Sequence, residues 1–130
     1  MKKYNWILLC FLLAASALHA RAQTSILFCG GVENDKPVGV SDRFYPDSAS
    51  TYLYALYVQA APMAMKQVSM ELFKQNGNTF EQVGEKQSYT VKPKWKYTYV
   101  KCYFAAPGLY KVRLSDASGK QLAEGIVTII

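Results

Sequence analysis

The sequence predicts an all-β domain built as a two-layer sandwich, and three observations carry that expectation. Apolar residues recur close to every second position rather than at the 3.6-residue spacing of a helix. Runs rich in Tyr, Val, Ile and Thr are separated by Gly, Pro, Asn and Asp turn signals about every 8–12 residues. The chain has 130 residues, 51% apolar, 14% aromatic and 18% charged. That is enough core for one small domain and too apolar for a disordered chain.

Taken in order, Ile26 to Cys29 is a short apolar run closed by Gly30-Gly31, which suggests a bulge or turn. Residues 33–50, rich in Asp, Pro, Gly and Ser, read as a long connection with a short edge segment at Arg43 to Tyr45. Thr51 to Ala60 has the Tyr, Leu and Val density of a buried strand. Lys66 to Gln75 alternates, placing Val68, Met70 and Leu72 on one face. Asn76-Gly77 then predicts a type I′ hairpin turn returning into Thr79 to Val83. Gln87 to Val91 and Lys94 to Phe104 are strand candidates, with Pro107-Gly108 as a turn. Leu109 to Ser115 sets Tyr110, Val112 and Leu114 against Lys111 and Arg113. Residues 116–119 turn the chain into a closing strand, Lys120 to Ile130. One turn of helix at Met63 to Met70 is the only helical alternative, and Pro62 opposes it.

The first 22 residues read as a cleavable signal peptide. Lys2 and Lys3 precede an apolar run from Trp6 to Leu18, and Ala20 and Ala22 occupy the −3 and −1 positions of a cleavage site. The run is shorter than the ~20 residues of a membrane span. Leu9 before Cys10 is too large for a lipid-attachment site. The expected organisation is residues 1–22 as signal peptide and 23–130 as a single β-sandwich domain, periplasmic or secreted, with no transmembrane anchor. Removing the leader takes three of the 15 Lys and Arg residues and none of the nine acids, leaving a net charge of +3. Its lysines are dispersed, unlike the clustered footprint of a nucleic-acid binder. Two cysteines remain, Cys29 and Cys102, and in an oxidising compartment an even pair reads as one disulfide, worth about 4 kcal/mol for a loop of that length. Two unpaired buried thiols are the alternative.

The single histidine, His19, leaves with the leader. Without it no Ser-His-Asp triad can be built, and two cysteines make no zinc site. Gly30-Gly31 lacks the Lys-Ser/Thr of a phosphate loop. Glu33, Asp35, Asp42 and Asp47 read as solvated turn residues, although a glycosidase needs only two carboxylates. The expectation is therefore no enzyme, no cofactor and no metal.

Tyrosine stands above background: nine of ten follow the leader. In Lys94 to Phe104 the odd positions place Trp95, Tyr97, Tyr99, Lys101 and Tyr103 on one face. A Cys102 bridging to the first strand should point inward, which would turn that row outward. Flanked by lysines, it could stack on sugar rings or anchor a protein. Half-buried strand packing is the competing role, reached if a bulge between Tyr97 and Val100 switches faces.

The stretch Pro107-Gly108-Leu109-Tyr110-Lys111-Val112, followed by Asp116, Gly119 and a terminal strand, resembles the corner before the penultimate strand of exported immunoglobulin/fibronectin type III-like β-sandwich domains. The resemblance covers mainly residues 95–130. It implies a small antiparallel immunoglobulin-like β-sandwich of about seven strands, a Tyr110 hydroxyl bonded back to backbone, and Trp95 as a core tryptophan. It carries no activity. The functional expectation is a non-enzymatic binding or interaction module in the cell envelope or outside the cell, with a protein or surface polysaccharide as partner and Trp95, Tyr97 and Tyr99 as its contacts. A structural subunit of a surface assembly, or an exported hydrolase using acidic residues, are the alternatives. The last strand, Leu122 to Ile130, could serve as an inserted or augmenting strand.

Overall fold

A computed structural model describes residues 26–45 and 51–130, so the expected leader lies outside the described residues. The described chain is all-β, with ten strands: β1 Leu27–Glu33, β2 Lys36–Val40, β3 Arg43–Phe44, β4 Thr51–Val58, β5 Gln67–Asn76, β6 Thr79–Gln82, β7 Gln87–Thr90, β8 Tyr97–Phe104, β9 Gly108–Asp116 and β10 Gln121–Ile129. The turn signals locate most of these within a residue or two. The count of about seven was low: β2 was hidden in a Pro- and Gly-rich segment, and β3, β6 and β7, each read as a segment in the sequence, stand as separate short strands.

The strands form two sheets, one ordered β2-β1-β4-β8 and the other β3-β10-β9-β5-β6, with β7 also on β5. Pairing is antiparallel except for β3 alongside β10. Alternation decides what lies between the sheets. Val68, Met70 and Leu72 of β5, Tyr110, Val112 and Leu114 of β9, and Leu53, Ala55 and Tyr57 of β4 are all buried, and Val100, Cys102 and Phe104 of β8 complete that layer. Gly125 on β10 permits a close approach between the layers: a Cβ there would lie 2.9 Å from both Ile26 Cβ and Phe28 Cε2. The expected backward bond at the corner is present, with Tyr110 Oη donating to the Ala106 carbonyl at 2.7 Å.

Two hairpins exchange the expected turn chemistry. The β5–β6 loop is Gly77-Asn78, and only Gly77 has positive φ (+64°), the type II′ pattern rather than I′. The type I′ pattern occurs at the unforeseen β1–β2 hairpin, where Asn34 and Asp35 have φ of 51° and 61° and Glu33 faces Lys36.

The disulfide expectation is overturned. Cys29 and Cys102 are free, buried thiols. They lie on β1 and β8 with β4 between them, roughly 10 Å apart at normal strand spacing, beyond bridging distance. Register settles the rest: Cys29 faces Tyr54 and Cys102 faces Leu53, so the two side chains leave opposite faces of the sheet. Cysteine number and compartment say nothing about which face a strand residue takes. The last strand is built into the fold: β10 pairs along the length of β9 with Ala123, Val127 and Ile129 buried, and β3 meets it only at Thr128 and Ile129.

Candidate functional site: an aromatic sheet face

Inward-pointing Val100 and Cys102 fix the odd residues of β8 on the outer face of the four-stranded sheet. Core packing, rather than a disulfide, sets that orientation. The three expected contact residues come together there. Trp95 stacks on Tyr97 with centroids 5.0 Å apart and planes at 23°, and Tyr97 meets Tyr99 edge-on at 5.9 Å. Trp95 is 38% exposed and precedes β8, so it is no core tryptophan. The ammonium of Lys92 stands 4.2 Å from its ring centroid, a cation–π contact.

Register extends the patch beyond those three. Tyr52 pairs with Tyr103, Tyr54 with Lys101, Leu56 with Tyr99 and Val58 with Tyr97. Tyr52 and Tyr103 touch at 4.9 Å and are 56% and 47% exposed. Leu27 and Val40 continue the face onto β1 and β2. Six of the eleven exposed large hydrophobics among the described residues thus share one face: Leu27, Val40, Tyr52, Val58, Trp95 and Tyr103. Composition pointed to the tyrosines, but only strand pairing could reveal that β4 and β8 pool them with aliphatic residues from β1 and β2.

The other sheet presents the opposite character. Its outer face carries Arg113 bonded to Glu124 at 3.3 Å, with Lys111 3.8 Å from the same carboxylate. Lys111 and Arg113 also cover the Phe73 ring, at 5.3 and 4.8 Å. That surface is charge-paired, with Phe73 and Phe80 beneath its cations and Ile126 exposed beside Lys111. On the aromatic face β4 and β8 contribute no carboxylate, and Lys101, 4.6 Å over the Tyr52 ring, is the one charge they place there.

The β1–β2 hairpin adds a wall. Leu27 stands level with Leu56, and Leu56 with Tyr99. The Tyr99 hydroxyl nevertheless donates at 3.0 Å to the carbonyl of Asp35 at the hairpin tip. β1 leaves β4 after Cys29, at Gly30-Gly31, so the tip turns back over the outer face. Desolvation, then the neighbouring Cys29, Tyr97 and Asp35, raises the Tyr99 phenol above its ordinary range. The hydroxyl stays protonated and remains a donor.

A groove of about 680 Å³ adjoins the C-terminal half of β8, between Tyr103 on one side and Met70, Leu72, Tyr89 and Tyr110 on the other, with Glu85 as its one carboxylate. Among the described residues no three His, Cys, Asp or Glu side chains converge as metal ligands. Asp116, one of the acids outside the first connection, is committed to its own turn: Oδ1 accepts from the Ser118 amide and hydroxyl and from the Lys120 amide, at 2.9, 2.6 and 2.9 Å. No protein-family model matches the chain, and no curated protein resembles it significantly.

Proposed function

We propose that the protein is a non-enzymatic binding module, exported by its leader to the cell envelope or beyond, that takes a protein partner on the outer face of the β2-β1-β4-β8 sheet. The observation that carries this reading is the asymmetry between the two outer faces. One is charged and internally paired; the other is a contiguous aromatic and aliphatic surface, and such patches mark interaction sites. Interface cores are enriched in Tyr and Trp and depleted in charge. A polysaccharide fits less well, because orienting sugar hydroxyls takes placed polar groups, and β4 and β8 offer only tyrosine hydroxyls and one lysine on this face. Trp95, Tyr97 and Tyr99 are the proposed anchors, joined by Tyr52 and Tyr103.

The immunoglobulin-like arrangement belongs to the same proposal. Strands β1, β4 and β8 lie side by side as A, B and E do in that fold, opposite β10, β9 and β5 in the places of G, F and C. The Tyr110 bond stands where the tyrosine corner stands.

The test is affinity capture from envelope extracts with the wild-type protein, set against Tyr97→Ala and Tyr52→Ala/Tyr103→Ala, alongside a glycan array. A defined polypeptide should be retained by the wild type and lost by both variants, with unchanged thermal unfolding. Retention of a glycan, lost in the same variants, would replace the protein partner by a polysaccharide. Equal capture by all three proteins would remove the aromatic face from the function.

A further inference from the structure

We infer that β8 is a self-pairing edge, and that two copies of this chain join antiparallel along it to make one continuous eight-stranded sheet. β8 ends the four-stranded sheet. Lys96 gives its carbonyl to the Gln59 amide, on the β4 side. Backbone groups alternate sides along a strand, so Tyr97, Tyr99, Lys101 and Tyr103 turn their amides and carbonyls to the open edge. The Lys101 carbonyl confirms the parity, accepting the Tyr89 hydroxyl from the opposite sheet at 2.8 Å. Its second lone pair is still available to a partner amide.

Natural sheets blunt free edges by proline, bulges, short strands and edge lysines, and the other edges among the described residues are more interrupted than β8. β2 has Pro37, which lacks an amide hydrogen, and Gly39 at φ +69°. β3 is two residues long and covers only Thr128 and Ile129 of β10, whose edge beyond it is interrupted by a bulge between Gln121 and Ala123. The far edge of the larger sheet is split into β6 and β7, four residues each, by a break with Gly84 at φ +73°. β8 runs for eight regular residues, with Lys101 as its one such device.

The sequence of that edge is self-complementary in one register. Placing Tyr99 opposite Lys101 of the second copy puts Tyr97 opposite Tyr103, and the two-fold axis repeats both pairs. Aromatic and cation–aromatic pairs then face each other, the kind that stabilise cross-strand contacts. The register centred on Lys101 would instead oppose two lysines. Pairing would draw the Lys101 ammonium, which leans over Tyr52 in the single chain, towards Tyr99 of the second copy. About eight inter-copy backbone hydrogen bonds would form from the four facing positions. The partner-binding reading is not needed for this association, although pairing would extend the aromatic face across both copies.

The test is sedimentation velocity of the leader-free protein from low to high micromolar concentration, with two double variants. Tyr97→Lys/Tyr103→Lys opposes like charges across the edge, whereas Tyr97→Lys/Tyr103→Glu opposes unlike ones with the same loss of aromatic area. The wild type should dimerise, and the Lys/Glu variant should associate at least about tenfold more tightly than the Lys/Lys variant at low salt. Equal behaviour of the two variants overturns the register. A wild type monomeric at all concentrations overturns the pairing. Amide exchange of the wild type alone gives an independent readout. The Tyr99 and Lys101 amides should gain protection as concentration rises, and amides unprotected throughout would mean that the edge does not pair with itself.

Discussion

Burial pushes the Cys102 thiol up to about 12, and Cys29 is raised above its ordinary range chiefly by desolvation. Thiolate is the reactive form, so neither cysteine should react with a thiol reagent at pH 8 in the folded protein. Both should react once the chain is unfolded without reductant. Recovering no free thiol from the denatured chain would reinstate a disulfide. Tyr110 makes a second residue-scale prediction. Tyr110→Phe keeps the ring packed edge-on at 4.8 Å against Phe104 but strands the Ala106 carbonyl, and should lower stability by about 1 kcal/mol in urea unfolding. Asp116 has its carboxyl held below the ordinary range, first by the Ser118 hydroxyl and then by the backbone amides of its turn. A lowered folded-state value contributes stability above the unfolded carboxylate pKa of about 3.9 and loses it as pH falls through the folded one. The urea midpoint of Asp116→Asn should therefore lie below that of the wild type at pH 7 and approach it toward pH 3. A gap that holds or widens in acid would count against this linkage.

Among the elements, β10 depends on a residue with no side chain. Gly125 faces Val112 in the register of β9 and β10, and Ile26 and Phe28 occupy the space a Cβ would need. Gly125→Ala should overpack this layer and cost about 1–3 kcal/mol, more than alanine at Gly30, where a Cβ would meet nothing within 4 Å. Equal unfolding midpoints for the two variants would show that β1 can shift to make room. The β1–β2 hairpin shows why element-level reading failed here. Its Asn34-Asp35 turn lacks the glycine that usually marks type I′, and Pro37 and Gly39 look like loop residues until β1 is seen to supply the pairing.

For the molecule as a whole, the two sheet faces divide the work. Arg113, Lys111 and Glu124 form a charge-paired cross-strand cluster on one side, while the other side concentrates aromatic area that no charge on β4 or β8 interrupts except Lys101. The face and the β8 edge share residues but not atoms. Side chains of Tyr97, Tyr99 and Tyr103 make the face, and their backbones make the edge. Substitutions at these positions touch both, so amide exchange of the wild-type edge is the measurement that separates self-association from partner capture.

Alternation in the sequence by itself determined the strands and their inward faces, because period-two patterning records which side of a strand meets the core. Val68-Met70-Leu72 and Tyr110-Val112-Leu114 were legible for that reason. Alternation also put the β8 aromatics on one face without deciding which way it points, and the Tyr110 corner came from the resemblance to immunoglobulin-like domains. Tertiary structure alone decided which strands became neighbours. Pairing across β4 placed Tyr52 on Tyr103 and gathered the aliphatic residues of β1 and β2 beside them. The same pairing set Cys29 and Cys102 on opposite faces of one sheet. Neighbour choice is a long-range property, fixed by packing between segments distant in sequence, and no local pattern encodes it.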